Sequence, residues 1–230
     1  MIELPLFPVP ALQLGVLTLS DTALAGLLVT ALLAVAALAV RRALTRAPAG
    51  RLAVAGEAVV TAIEGAIEAV APGQGRRLLP LIGTLWIYLV AANLIGLVPG
   101  LTSPTRDLSA TAALALLVFL STHWFAMRTL GVAAHLRHYL YPTPLLLPFH
   151  LVSEISRTVA LAVRLFGNIA SMETAAVLLL AIAGFLAPVP ILVLHVVEGL
   201  VQAYIFGMLA LVYIAGSLEV LERRRSREKR

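Results

Sequence analysis

Five stretches of this chain are long and apolar enough to cross a hydrocarbon core, and one of them carries an arginine that cannot be neutralised there. A helix needs about 20 apolar residues to span a core roughly 30 Å thick. Residues 22–40, 78–98, 108–127, 149–187 and 191–218 each meet that requirement. With 60% hydrophobic residues and only 13% charged, the 230-residue chain is more apolar than a soluble domain of its length can bury. The expected fold class is an all-α polytopic membrane protein, a single membrane domain over residues 1–230. It would hold about five membrane-embedded helices and one amphipathic helix on the cytoplasmic side.

Residues 1–21 contain no Lys or Arg and are broken by Pro5, Pro8 and Pro10. Without a basic n-region they are read as an external N-terminal segment rather than a cleavable signal. Ser20 or Asp21 can cap the first span, and Arg41, Arg42 and Arg46 follow it. Over residues 51–71 Glu57, Glu64 and Glu68 share one helical face while Val60, Ile63, Ile67 and Val70 fill another, as in a helix lying at an interface. The acidic face is solvated or docks a stalk. Pro72 to Gly75 makes a turn, and the second span holds Trp86, Tyr88 and Asn93. Pro99-Gly100 and the polar run Thr102 to Asp107 end it; the third span carries His123 and Trp124. The loop from Arg128 to Pro144, with His135, Arg137, His138, Tyr139 and Tyr141, suits a membrane interface. Residues 149–187 would form a helix of roughly 50 Å, too long for a perpendicular crossing. A strongly tilted hairpin with residues 191–218 is expected, turning at Pro188-Val-Pro190, with 219–230 as a basic tail.

Of the seventeen Lys and Arg residues, an outside N-terminus and an inside C-terminus place only Arg106 outside and Arg157 and Arg164 in the membrane. That is the distribution of a plasma-membrane protein, here expected to be bacterial. The net charge of +5 therefore reports orientation and does not call for nucleic acid. The chain lacks cysteine, so thiolate metal sites are excluded, and it lacks a G-x-x-x-x-G-K-[ST] loop for nucleotide chemistry. No cofactor and no metal is expected.

The chemistry is expected in the last two helices. On the first, Glu154, Arg157, Arg164, Asn168, Ser171 and Glu173 are polar, with Arg157, Arg164 and Ser171 spaced by seven. On the second, His195, Glu198 and Gln202 fall in one stripe. Facing each other, the two stripes would make a polar seam of the kind that marks ion pathways. Burial and neighbours can bring Glu and His toward the working pH, whereas Arg stays charged. Glu173, His195 and Glu198 are then relay groups, and Arg164 a barrier and counter-charge. Arg157 fits a structural clamp on Glu154 or on carbonyls as well as a functional role. Asn93, Asp107 and His123 fit structural or entrance-lining roles.

Arg164-Leu-Phe-Gly-Asn168, with Ser156-Arg157 before it and Glu173 after it, resembles the signature of subunit a of the F-type ATP synthase membrane sector. Leu79 to Leu85, Asn93 to Pro99, Asp107 to Thr111 and Gln202 to Phe206 also resemble segments of that family, in the same order. The resemblance implies a non-catalytic stator subunit beside a ring of c subunits, with b-type stalk subunits as further partners in the bilayer. It implies two aqueous half-channels, conducting protons or Na+, separated by an essential arginine matching Arg164. Family polar positions match Asn168, Glu173, His195 and Gln202. Four positions depart from the family pattern: His150 stands where glutamate is frequent, Met172 for glycine, Thr158 for proline, and Glu198 for an apolar residue. A stand-alone ion-coupled transporter or channel using the same seam is the alternative, though neither internal repeats nor a mid-helix break supports it.

Overall fold

The computed structural model describes residues 10–14, 17–47, 49–98, 101–132, 147–184 and 187–228. A small antiparallel hairpin, β1 (Pro10–Leu14) and β2 (Leu17–Ser20), leads into the first helix, pairing Leu12 with Leu19 and Leu14 with Leu17. Sequence periodicity gave no sign of it in the proline-broken segment. Helix α1 (Asp21–Arg46) starts where Ser20 Oγ accepts the Ala23 N–H at 3.2 Å. Asp21 in its first turn and Arg46 in its last both suit the helix dipole. The helix runs on through Arg41 and Arg42, beyond the apolar stretch expected to end it.

Helix α2 (Arg51–Val70) packs on α1 at Gly56, which faces Val40. It packs on α3 (Gly75–Leu94) at Gly83, whose nearest neighbour is the Ile63 side chain. Ile67 is fully buried in that contact, whereas Val60 is exposed. A turn with Gly73 at φ 75° joins the two helices, a backbone state that glycine adopts freely. Glu68 ties the turn down by accepting the N–H groups of Gly73 and Gly75.

A 3-10 turn (Ile95–Leu97) extends α3, and a second one (Pro104–Arg106) precedes α4 (Leu108–Leu130). Asp107 caps α4 through its carboxylate. The remaining helices are α5 (Leu147–Ala183, 37 residues) and α6 (Val189–Glu228, 40 residues). The basic tail expected after residue 218 is thus a continuation of α6. As far as Glu228 its Arg and Glu residues are good helix formers, and neither Gly nor Pro interrupts them. At about 1.5 Å per residue α5 is roughly 55 Å long, well beyond a perpendicular span. His135, Arg137, His138, Tyr139 and Tyr141 of the expected interfacial loop lie outside the described residues. Helices α1, α3, α4, α5 and α6 are the five that are long and apolar enough to cross a membrane; α2 is not among them.

The core lies where α3, α4, α5 and α6 meet, around Leu78, Ile82, Leu89, Val118, Leu165, Phe206, Leu211 and Ile214. Lipid offers little hydrophobic drive between helices, so close approach at small residues matters. Gly199, Ala203 and Gly207 recur every fourth residue along α6, and all are buried against α3. At the last of them Trp86 of α3 enters the space a side chain would take. There its ring stacks on Tyr204 at 6.0 Å, and Nε1 donates to the Tyr204 carbonyl at 3.3 Å. Gly207→Ala should therefore cost about 1–3 kcal/mol through overpacking. A lower unfolding temperature of the detergent-solubilised complex would show this, while Gly65→Ala, with nothing within 4 Å, should be neutral or slightly stabilising.

Candidate functional site

Helices α3, α4, α5 and α6 bring the chain's polar residues into three groups, one at each end of α5 and one between them. At the end where α3 passes into α4, Asn93 is fully buried and all its polar groups are engaged. Its Nδ2 donates to the Gly199 carbonyl at 2.9 Å, its Oδ1 accepts from Thr105 Oγ1 at 2.8 Å, and its carbonyl accepts from His195 Nε2 at 3.2 Å. Gly199 allows this approach: a Cβ there would meet Asn93 Cβ at 3.2 Å. Ser103 extends the network, with Oγ 2.7 Å from both the Ala92 carbonyl and Thr105 Oγ1. Its N–H donates to Glu173 Oε1 at 3.1 Å, and Arg106 Nη1 lies 3.5 Å from Glu173 Oε2. The glycine at 96 gives Glu173 its room, since a Cβ there would come within 2.5 Å of Oε1. Asp107 faces the other way, holding Ser109 N–H, Ser109 Oγ and Thr22 Oγ1.

In the middle of α5, Asn168 Nδ2 donates to Gln202 Oε1 of α6 at 2.8 Å. Gln202 is buried, and its Nε2 has no hydrogen-bond partner among the described residues. One turn before Asn168, Arg164 is exposed and holds neither a hydrogen bond nor an ion pair among the described residues. Around it Val159 and Val163 are exposed, and nothing lies within 4 Å of a Cβ built at Gly167.

At the opposite end, His123 of α4 bridges helices. Its Nδ1 lies 2.9 Å from the Phe119 carbonyl and its Nε2 lies 3.1 Å from Glu154 Oε2. Arg157 sits over the Tyr213 ring at 4.6 Å, a cation–π contact joining α5 to α6. His123, Glu154, Arg157 and Tyr213, with Phe119, Thr122 and Thr158, line a cavity of about 30 Å³, large enough to hold water.

Not every expected neighbour meets. The two stripes do not face each other along their length: Arg157, Arg164 and Ser171 all lie on the exposed face of α5, and among the described residues Asn168 meets the α6 stripe at Gln202 while Arg157 reaches α6 at Tyr213, outside that stripe. Heptad spacing keeps residues on one helical face, whereas a step of four turns the side chain by about 40°. Glu173 turns instead to the Ser103–Arg106 loop, and His195 to α3. Glu198 is half-buried and His150 exposed. Ser103, Thr105, Arg106, Thr22 and Tyr213 were not anticipated at all. The polar run Thr102 to Asp107 in an apolar chain was the available signal for the first three.

Comparison with known proteins fixes the family. Residues 23–215 match the family model described as ATP synthase A chain. The chain belongs to that family, subunit a of the F-type ATP synthase. It is 55% identical over 208 residues to ATP synthase subunit a 1 of Hahella chejuensis, covering 90% of this chain and 88% of that one. It is 59% identical over 177 residues to ATP synthase subunit a 2 of Pelobacter propionicus, covering 77% and 78%. With subunit a of Legionella pneumophila it shares 56% identity over 166 residues, 72% of each chain. As a member of this family with five helices able to cross a membrane, it is a multi-pass membrane protein.

The matched region contains all three polar groups. Among the family member's residues here, Gly96 offers a clean probe of the first group. Gly96→Ala would set a Cβ against both Glu173 Oε1 and Ser103 and should push the carboxylate off the Ser103 N–H; if Glu173 lies on an ion path, ATP-driven ion pumping by the assembled complex should fall several-fold with complex yield retained. Pumping at the unsubstituted rate would show that Glu173's position there is immaterial.

Proposed function

We propose that this chain is the ion-translocating stator subunit of a rotary F-type ATP synthase, conducting protons or Na+ past a ring of c subunits. It is not itself catalytic, because nucleotide chemistry belongs to other subunits. One observation carries the proposal: Arg164 stands on an exposed apolar face of α5 between two polar clusters on either side of it along the helix. Glu154 is ten residues before it and Glu173 nine after, so each cluster lies about 14–15 Å away along the axis.

Inserting an arginine at mid-membrane costs at least about 2.5–3.5 kcal/mol, so a counter-charge has to be met there. A ring carboxylate arriving within about 4 Å would gain about 4 kcal/mol at an effective dielectric near 20. Divided by 1.36 kcal/mol per decade, that lowers its affinity for a bound cation by about three powers of ten. Passing Arg164 thus strips the ion from the ring, and the two clusters serve as the separate half-channels that load and unload it. On the loading path, Glu173, His195 and Asn93 surround the way in, with Asn168 and Gln202 leading toward the arginine. Arg164 also blocks the shortcut, because it can neither accept nor release a proton. An ion moving through 100 mV supplies about 2.3 kcal/mol, which leakage would waste.

The partners follow: the c ring on the Arg164 face, and b-type stalk subunits elsewhere on the surface, including the acidic face of α2. The setting is a bacterial plasma membrane, with the N-terminus outside and the C-terminus in the cytoplasm, as the basic residues require.

Arg164→Ala in the assembled complex tests the proposal. Inverted vesicles should lose ATP-driven ion pumping while retaining the complex, with increased passive leak through the membrane sector. Coupled pumping at the normal rate would return Arg164 to a structural role and favour a stand-alone channel.

A further inference from the structure

Arg106 is the one cation that sequence analysis places at the outer surface, and it is the residue that meets Glu173. Its Nη1 lies 3.5 Å from Glu173 Oε2, longer than the 2.7–2.9 Å typical of a tight charge-assisted bond. Glu173's side chain is 10% exposed and Arg106's 24%, so the carboxylate sits largely out of water while the guanidinium stands at its mouth. The loop carrying Arg106 is pinned on both sides. Ser103 and Thr105 bind it to α3, and Asp107 binds it to α4 and α1. The loop backbone that carries the arginine is thereby held in place, while its side chain is part-exposed.

The other titratable groups at this end are committed or removed. Asp107 is occupied by Thr22 and Ser109, His195 of α6 lies on the Asn93 carbonyl, and Glu198 of α6 forms no ion pair among the described residues. Glu173 Oε1 is held by a backbone N–H, which carries no net charge. Arg106 is thus the only full positive charge in contact with Glu173 among the described residues.

We propose that Arg106 is the counter-charge that sets how tightly Glu173 holds the coupling ion, a monovalent cation, so that an arriving ion binds by displacing the guanidinium. This rests on Glu173 lying on the ion path. A lone carboxylate in a poorly solvated site binds cations tightly and releases them slowly. Competition from a tethered guanidinium weakens the hold on the ion and speeds its passage onward. The long, part-exposed pairing suits this, because a pair locked by short bidentate bonds would not exchange.

The test is ATP synthesis by the complete complex in proteoliposomes, with the ion concentration varied on each side in turn, once with H+ and once with Na+ at fixed pH. The ion that drives synthesis identifies the ligand. On the side that feeds Glu173, Arg106→Gln should lower the half-saturating ion concentration about 10-fold and lower the maximal rate. Arg106→Lys, which keeps the charge, should restore most of both. In a Glu173→Gln background, Arg106→Gln should cause no further shift. An unchanged half-saturation in Arg106→Gln overturns the proposal, as does the same shift without Glu173. Arg106→Met is the second neutral variant. Failure of both neutral variants to assemble would make Arg106 a structural clamp and also overturn it. Failure of the underlying ion path is distinguishable, because Glu173→Gln alone would then leave ATP synthesis and its half-saturation at the unsubstituted values whatever Arg106 does.

Discussion

A polar group in a membrane has to find its partner inside the protein, and here Asn93 is where that demand is met most completely. One side chain and its own carbonyl join α3 to α6 through Gly199 and His195, and join both to the connecting loop through Thr105. A side chain at position 199 would crowd Asn93 Cβ at 3.2 Å and push the α6 partners, the Gly199 carbonyl and His195, away from it. The Gly199, Ala203, Gly207 series that brings α6 against α3 is therefore also what lets the polar network form. Trp86 performs the same service one face lower, filling the notch at Gly207 while spending its N–H on the Tyr204 carbonyl. Packing and polar satisfaction in this bundle are one arrangement.

The network explains why Glu173 points where it does. A carboxylate near the end of a membrane helix has three choices: water, a cation, or backbone donors. The loop pinned by Ser103 and Thr105 supplies the last two from a single short segment, through the Ser103 N–H and Arg106. Arg164 lacks any such support on its own chain among the described residues, and the side chains around it are apolar and exposed. Among the described residues the chain pairs the Glu173 charge internally, while the Arg164 charge stands exposed.

Much of this was legible in the residues. Five apolar stretches and the change of pattern at α2 were read from hydropathy and periodicity, because lipid demands long, nearly uninterrupted runs. Element ends were less legible: α1 and α6 run on through arginines, since basic residues leave the membrane without leaving the helix. The β hairpin was hidden, because two short strands in a proline-containing segment carry little periodic signal. For the site, the polar positions on α5 and α6 could be picked out one by one, but not what each would face. Three-dimensional partners such as Thr105 for Asn93, Arg106 for Glu173 and His123 for Glu154 join segments far apart in the chain. Helical spacing says nothing about such pairs; it places Arg157, Arg164 and Ser171 on one face, but does not say which neighbours each would meet.

Nineteen positions separate Glu154 from Glu173, about 28 Å along α5. The polar side chains between them on this helix are Ser156, Arg157, Thr158, Arg164, Asn168 and Ser171, and none of these gains or loses a proton near neutral pH. Amide and hydroxyl groups can solvate a passing ion, but the arginine stands in the path with a permanent charge of the same sign. An ion that leaves one cluster and appears at the other must therefore travel on something other than α5. A carboxylate on a moving neighbour satisfies both requirements, since it carries the ion past the arginine as a neutral species and pairs with the arginine once the ion has gone. On the proposed function the stationary charge and the travelling one are complementary parts of a single mechanism, and Arg164, exposed and without a partner among the described residues, has the setting that such a mechanism needs.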